Sequence, residues 1–249
     1  MLASTHWATP SQDLFLKLSP GVVHVWRAPL EDSPLQAARY RPYLSADERA
    51  RAERFRVPYP QYQFVSTRGI LRRLLSHYVG TPAANLRIES NLHGKPTLAD
   101  SSSPPLQFNV SHTRGMALLA ITVEHAVGID VEKVDRALSD HDIAGRYFSP
   151  RESNYLASLP LERRTAEFFT YWTCKEAYLK MRGIGLLGGL GQCEIALDPD
   201  GLKANVSLTD GSNREDKCLL FRVNAGQAHI GALAVEGPSV EVSFWDWQV

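Results

Sequence analysis

Apolar and polar residues alternate in short runs along most of the chain, and two longer stretches repeat at helical spacing. Val23 and Val25 alternate with His24 and Trp26 in "GVVHVWRAPL", the period of a half-buried strand. "NLRIES" and "LQFNVSHT" read the same way, and "MALLAITVE" is an apolar run of strand length. Ser45 followed by Glu48 is a capping box that opens a helix over "SADERARAERF". A second helix runs from about Tyr62 to Tyr78, with Phe64, Ile70, Leu71, Leu74 and Leu75 on its buried side and Gly80 and Pro82 ending it. "NLHGKPTL" is a turn and "DSSSPP" a loop. After "GIDVEKV", whose Val127, Ile129 and Val131 alternate as a strand, "SDHDIAGRYFSPRESNYLASL" is helical in at least two parts. The clearest helix spans Leu161 to about Met181. Tyr171, Cys174, Tyr178 and Met181 form its apolar stripe, widened by Phe168 and Trp172, and Gly183 and Gly185 close it. Short strand-like runs from "CEIALD" to "VEVSFWDW" complete the chain.

This order is strand, helices, strands, repeated once, which is α+β layering twice over. It predicts two similar halves, residues 1–125 and 126–249, with the seam near Glu124 to Val127. Composition narrows the function. Lys and Arg number 27 against 27 Asp and Glu, so a general affinity for nucleic acid or anionic membrane is not expected. Three cysteines, Cys174, Cys193 and Cys218, without metal-ligand spacing argue against a disulfide framework and a zinc site. The N-terminus has no signal-peptide pattern and no window is apolar over a membrane-spanning length, so a cytoplasmic protein is expected.

Asp130 and Glu132 lie two apart in a strand, so both point to one face at about 6.6 Å and repel unless a cation or proton intervenes. Alone, such a pair is most simply a solvated face. In the long helix, Glu176 and Lys180 are four apart on a face away from the apolar stripe, and by themselves they read as an ordinary surface pair. Lys175 falls inside the apolar arc, where it must snorkel or find an anion. Asp130, Glu132 and Glu176 together would form a three-carboxylate set of hard oxygens suited to Mg²⁺ or Mn²⁺, whose shell is commonly completed by substrate phosphates.

"GIDVE", then "FSPRE" (Phe148–Glu152), then "WTCKEAYLK" (Trp172–Lys180), with "HGKP" and "FNVSH" upstream, resembles the signature of 4′-phosphopantetheinyl transferases of the two-part Sfp type. The resemblance covers roughly Ser45 to Leu186. It implies transfer of the phosphopantetheine arm of coenzyme A to a serine of an acyl or peptidyl carrier protein, with release of 3′,5′-ADP. It implies a monomer whose active site lies between two pseudo-twofold halves, each an antiparallel sheet against a long helix.

By motif match, Asp130, Glu132 and Glu176 are the implied metal ligands. Glu176 is the implied base, Lys180 the phosphate-holding residue, and Asp130 counts with the catalytic set. Arg51, Arg68, Lys95, Ser111, His112 and Lys175 are the implied coenzyme A contacts. Phe148 is expected in the core, and Glu152 is expected to orient Lys180 or cap a helix. The segment Val134–Tyr147, with Arg136 and Arg146, is expected to meet the carrier protein. The chain departs from the family pattern in "RVPYPQYQF", with Pro58 and Pro60 and no charge between Val57 and Phe64, which leaves one phosphate contact and its effect on coenzyme A affinity open. Two rivals use some of the same residues: a Mg²⁺-dependent phosphohydrolase or nuclease, and a coenzyme A or carrier-protein binding module without turnover. The first leaves "HGKP" and "FNVSH" unexplained, and loss of a carboxylate would have favoured the second.

Overall fold

Every residue of Met116–Val123 is buried, because this strand has a packed layer on each face. The computed structural model describes residues 5–10, 18–99, 105–134, 140–185, 189–198, 203–208, 217–226 and 228–248. The first sheet contains β1 (Val22–Pro29), β4 (Leu106–Thr113), β5 (Met116–Val123) and β11 (Glu241–Asp246), in the order β11-β1-β5-β4. The second contains β6 (Val127–Lys133), β7 (Cys193–Leu197), β8 (Lys203–Leu208), β9 (Cys218–Gly226) and β10 (His229–Glu236), in the order β6-β10-β9-β8-β7. A small hairpin pairs β2 (Ile88–Ser90) with β3 (Pro96–Leu98).

Four layers follow from the two faces of each sheet. Ile70, Leu71, Leu74 and Leu75 of α3 (Pro58–Val79) pack on Trp26, Leu119 and Ile121 of the first sheet. The opposite face of that sheet, with Val23, Val25 and Leu118, packs on Val127, Ile129, Val131 and Leu233 of the second. Phe168, Cys174, Ala177, Tyr178 and Met181 of α6 (Leu161–Arg182) cover the outer face of the second sheet beside Ala232 and Ala234. The protein is thus α+β, each half a sheet against a 22-residue helix. Among the described residues the shorter helices α1 (Pro34–Tyr40), α2 (Ala46–Glu53), α4 (Asp140–Tyr147) and α5 (Pro150–Ser158) fill the connections. No helix among the described residues is long and apolar enough to cross a membrane.

The expected capping box at Ser45 and Glu48 is present, and Gly80 and Gly183 end the two long helices in left-handed geometry. Two expectations need correction. The second helix begins at Pro58 rather than near Tyr62, because Pro58 and Pro60 occupy its first turn, where backbone N–H groups have no intrahelical acceptor anyway. β1 is buried on both faces, not one: His24 sits under α3, its Nδ1 paired with the Tyr78 hydroxyl at 2.8 Å, and burial pushes its pKa down to about 4.

The last strand crosses between the halves. β11 pairs in parallel with β1, and Asp246 takes two hydrogen bonds from Arg27 at 2.8 and 3.0 Å.

β6 and α6 touch at Gly128, where an added Cβ would stand 2.1 Å from the Ala177 carbonyl oxygen and 2.3 Å from the Met181 nitrogen. Gly145, in α4, has nothing within 4 Å of that position. Gly128→Ala should therefore destabilise by about 3 kcal/mol or more, since backbone must move. Gly145→Ala should stabilise by about 0.5–1 kcal/mol. Chemical denaturation of the two variants checks the opposite signs.

Candidate active site

β4 and β6 are edge strands of different sheets, and side chains rather than a backbone ladder join them. Asn109, Ser111 and Thr113 share one face of β4 at the two-residue period of a strand. Asn109 Oδ1 accepts from the Ile129 N–H at 2.9 Å, and Ser111 Oγ donates to Asp130 Oδ1 at 2.7 Å. Thr113 Oγ1 donates to Glu132 Oε2 at 3.2 Å and accepts from the Lys133 N–H at 3.4 Å. The seam thereby sets the direction of both carboxylates.

α6 supplies the other side. Its close approach at Gly128 brings Lys180 Nζ to 2.5 Å from Asp130 Oδ1 and 2.9 Å from Ser111 Oγ, with Glu176 Oε2 at 3.6 Å. Glu176 is 6 % exposed, so it is not the solvated helix-surface residue that its spacing alone suggests.

Three carboxylates share this space with one ammonium. Burial, then the Asp130 charge, pushes Glu132 up to about 7. The same two causes raise Glu176 to about 7, against the pull of Lys180. Burial alone would lower the Lys180 pKa, but Asp130 and Glu176 outweigh it and raise it above the ordinary value. Desolvation and the Lys180 charge both lower His112.

The other expected site residues divide. Arg51 and Arg68 meet near Glu48: the Arg68 Nε is 3.0 Å from Glu48 Oε1, and the Arg51 guanidinium lies 5.0 Å over the Phe64 ring. Glu48 also accepts from Arg72, a buried residue that the motifs did not single out. Lys95 donates to the Val127 and Met181 carbonyl oxygens, both at 3.0 Å.

Lys175 is a correction. It is fully buried on the inner side of α6, 2.9 Å from Glu152 Oε2, and it donates to the Leu190 and Cys193 carbonyl oxygens, so its ammonium is already partnered within the core. Glu152 accordingly partners Lys175 and caps α5 with Ser149, rather than orienting Lys180. Phe148 is in the core, stacked on Phe168. Arg146 is exposed in the last turn of α4, whereas Arg136 lies outside the described residues.

Among the described residues no three His, Cys, Asp or Glu side chains form a ready metal cage; the cation on Asp130 is the Lys180 ammonium. The donor set nonetheless fits a hard divalent ion. Asp130 Oδ2 is buried without a hydrogen-bond partner, and Glu132 and Glu176 place two further carboxylates near it, their pKa values raised by burial and then by the Asp130 charge.

Three acidic side chains and one lysine therefore meet where β4, β6 and α6 come together. A family model of the 4′-phosphopantetheinyl transferase superfamily matches residues 126–232, and one of the 4′-phosphopantetheinyl transferase N-terminal region matches residues 27–124. The chain is 41% identical over 185 residues to the 4′-phosphopantetheinyl transferase HetI of Nostoc sp., covering 74% of this chain and 78% of that protein. It is 30% identical over 213 residues to the 4′-phosphopantetheinyl transferase psf-1 of Bacillus pumilus, covering 85% and 88%. It is 27% identical over 182 residues to the 4′-phosphopantetheinyl transferase Sfp of Bacillus subtilis, covering 72% and 79%. The chain belongs to the 4′-phosphopantetheinyl transferase family, and it is an enzyme that transfers the phosphopantetheine group with coenzyme A as co-substrate.

Glu132 carries a measurable cost. Its folded-state pKa of about 7 stands above the ordinary 4.5, so ionising it costs stability progressively as pH rises from 4.5 through 7. With chelator present, Glu132→Gln should raise stability at pH 8 by about 1–3 kcal/mol and change it little at pH 5. Thermal melts at the two pH values check this, and a variant less stable than wild type at pH 8 contradicts the crowding of charge.

Proposed function

We propose that the enzyme moves the 4′-phosphopantetheine arm of coenzyme A onto a serine hydroxyl of an acyl or peptidyl carrier protein, using Mg²⁺ and releasing 3′,5′-ADP. The observation that carries this reading is the convergence of Asp130, Glu132, Glu176 and Lys180 at the β4–β6 seam, with Asp130 tied to both Ser111 and Lys180. In the reaction the serine oxygen forms a bond to the pantetheine-side phosphorus of the pyrophosphate. The bond from that phosphorus to the bridging oxygen breaks, and the electron pair leaves with 3′,5′-ADP.

Asp130, Glu132 and Glu176 are the residues that would hold the divalent ion, which when bound supplies charge for the pyrophosphate oxygens. Glu176 takes the serine proton, directly or through water. Lys180, kept charged by its neighbours, holds the transferring phosphate and stabilises the phosphate that departs. Arg51, Arg68, Ser111 and His112 gather the 3′-phosphate end, the arginines through planar, charge-assisted donors. On this reading residues 1–125 carry the coenzyme A contacts and residues 126–249 the carboxylates and Lys180. One chain furnishes the whole set, which supports a working monomer.

Incubation of an apo carrier protein with the enzyme, coenzyme A and Mg²⁺ should add one phosphopantetheine arm by intact mass, and EDTA should prevent it. Asp130→Ala should lower the rate by about 10³-fold or more while the fold persists by circular dichroism. Unaltered transfer in that variant, or in EDTA, overturns the metal-site assignment.

A further inference from the structure

The β2–β3 turn belongs to the first half, yet it lies against the C-terminal end of α6 in the second. Asn91 shapes the turn: its Oδ1 accepts from the His93 and Lys95 N–H groups, each at 2.9 Å. Its Nδ2 donates to the Gly183 carbonyl oxygen at 3.4 Å. The approach is close, for a Cβ on Gly183 would stand 3.2 Å from Asn91 Nδ2 and 3.6 Å from Lys95 Cδ. Lys95 then reaches two carbonyls at once, Met181 in the last turn of α6 and Val127 at the start of β6. Carbonyls at a helix C-terminus lack intrahelical partners and carry the negative end of the helix dipole, so an ammonium satisfies both needs.

We propose that Lys95 is a positioning residue for transfer: it caps α6 and ties that helix to β6, which keeps Lys180 over Asp130. Met181 follows Lys180 directly, and Val127 lies three residues before Asp130. The tie therefore joins the two segments whose side chains must meet, through backbone at their near ends. Two of the three N–H donors of the ammonium are spent on these carbonyls. This use of Lys95 differs from a plain coenzyme A contact, which would act on binding alone. The inference rests on the transfer reading above.

Lys95→Met and Lys95→Arg, assayed beside wild type with coenzyme A and apo carrier protein, test it, together with hydrogen exchange of the last turn of α6. Lys95→Met should lower kcat about tenfold, leave KM for coenzyme A within about twofold, and speed amide exchange over residues 179–183. Lys95→Arg keeps donors for both carbonyls and should preserve the slow exchange and most of kcat. A Lys95→Met variant that raises KM while kcat and α6 exchange stay as in wild type overturns the proposal and leaves a ligand contact. So does a fall in kcat with unchanged exchange. If wild type itself transfers nothing, the transfer reading fails, while the exchange data still decide whether Lys95 caps α6.

Discussion

The structure depends on a seam in which three side chains do the work of a strand ladder. β6 is an edge strand, and its outward N–H groups at Ile129 and Lys133 would be orphaned without acceptors. Asn109 and Thr113 accept from them; the Ile129 donor is buried, and leaving it without a partner would cost about 1–3 kcal/mol, while the Lys133 bond is exposed. Ser111 and Thr113 also donate to Asp130 and Glu132 from the same face. The contacts that join the halves are thus the contacts that aim the carboxylates. A change that loosened one would loosen the other, which makes the site as rigid as the interface itself.

That rigidity holds charge where it is unfavourable. Asp130 is 1 % exposed, and Lys180 is the ammonium on it among three neighbouring carboxylates. A solvated surface would let such groups spread apart; here the strand fixes two of them and the helix the third. Burial first, and the Asp130 charge second, raise the pKa values of Glu132 and Glu176. A site starved of positive charge favours whatever cation or proton enters, and it therefore has a physical reason to be worse for stability than a neutral core would be.

Much of this was legible in the sequence. The strand period placed Asp130 and Glu132 on one face, helical spacing put Glu176 and Lys180 on one side of α6, and the capping box marked α2. What escaped follows from contacts between distant segments. Helical spacing put Lys175 in an apolar arc but could not say that Glu152 and two carbonyls waited there. Alternation in β1 suggested a solvated face, because nothing local shows that α3 will cover His24. Asn109 and Thr113 looked like ordinary strand polar residues, although their two-residue spacing from Ser111 was the available signal. α1, seven residues capped by Ser33, was too short to declare itself by periodicity.

α6 is gripped along its length. Lys175 anchors its inner side to Glu152 and to the carbonyls of Leu190 and Cys193, Gly128 meets its backbone at Ala177, and Lys95 holds its end at Met181. Each grip reaches a different element: α5 with the entry into β7, then β6, then the β2–β3 turn. A helix tied at three heights cannot slide or rotate without breaking buried polar contacts. On the proposed reading, adjustment to a bound pyrophosphate would fall to side chains, above all to the Lys180 ammonium. The halves cannot hinge freely about the seam either, since β11 returns from the second half to pair with β1 and is pinned there by Arg27 and Asp246. The two sheet-and-helix layers are thus joined into one body, with the carboxylates built into the join.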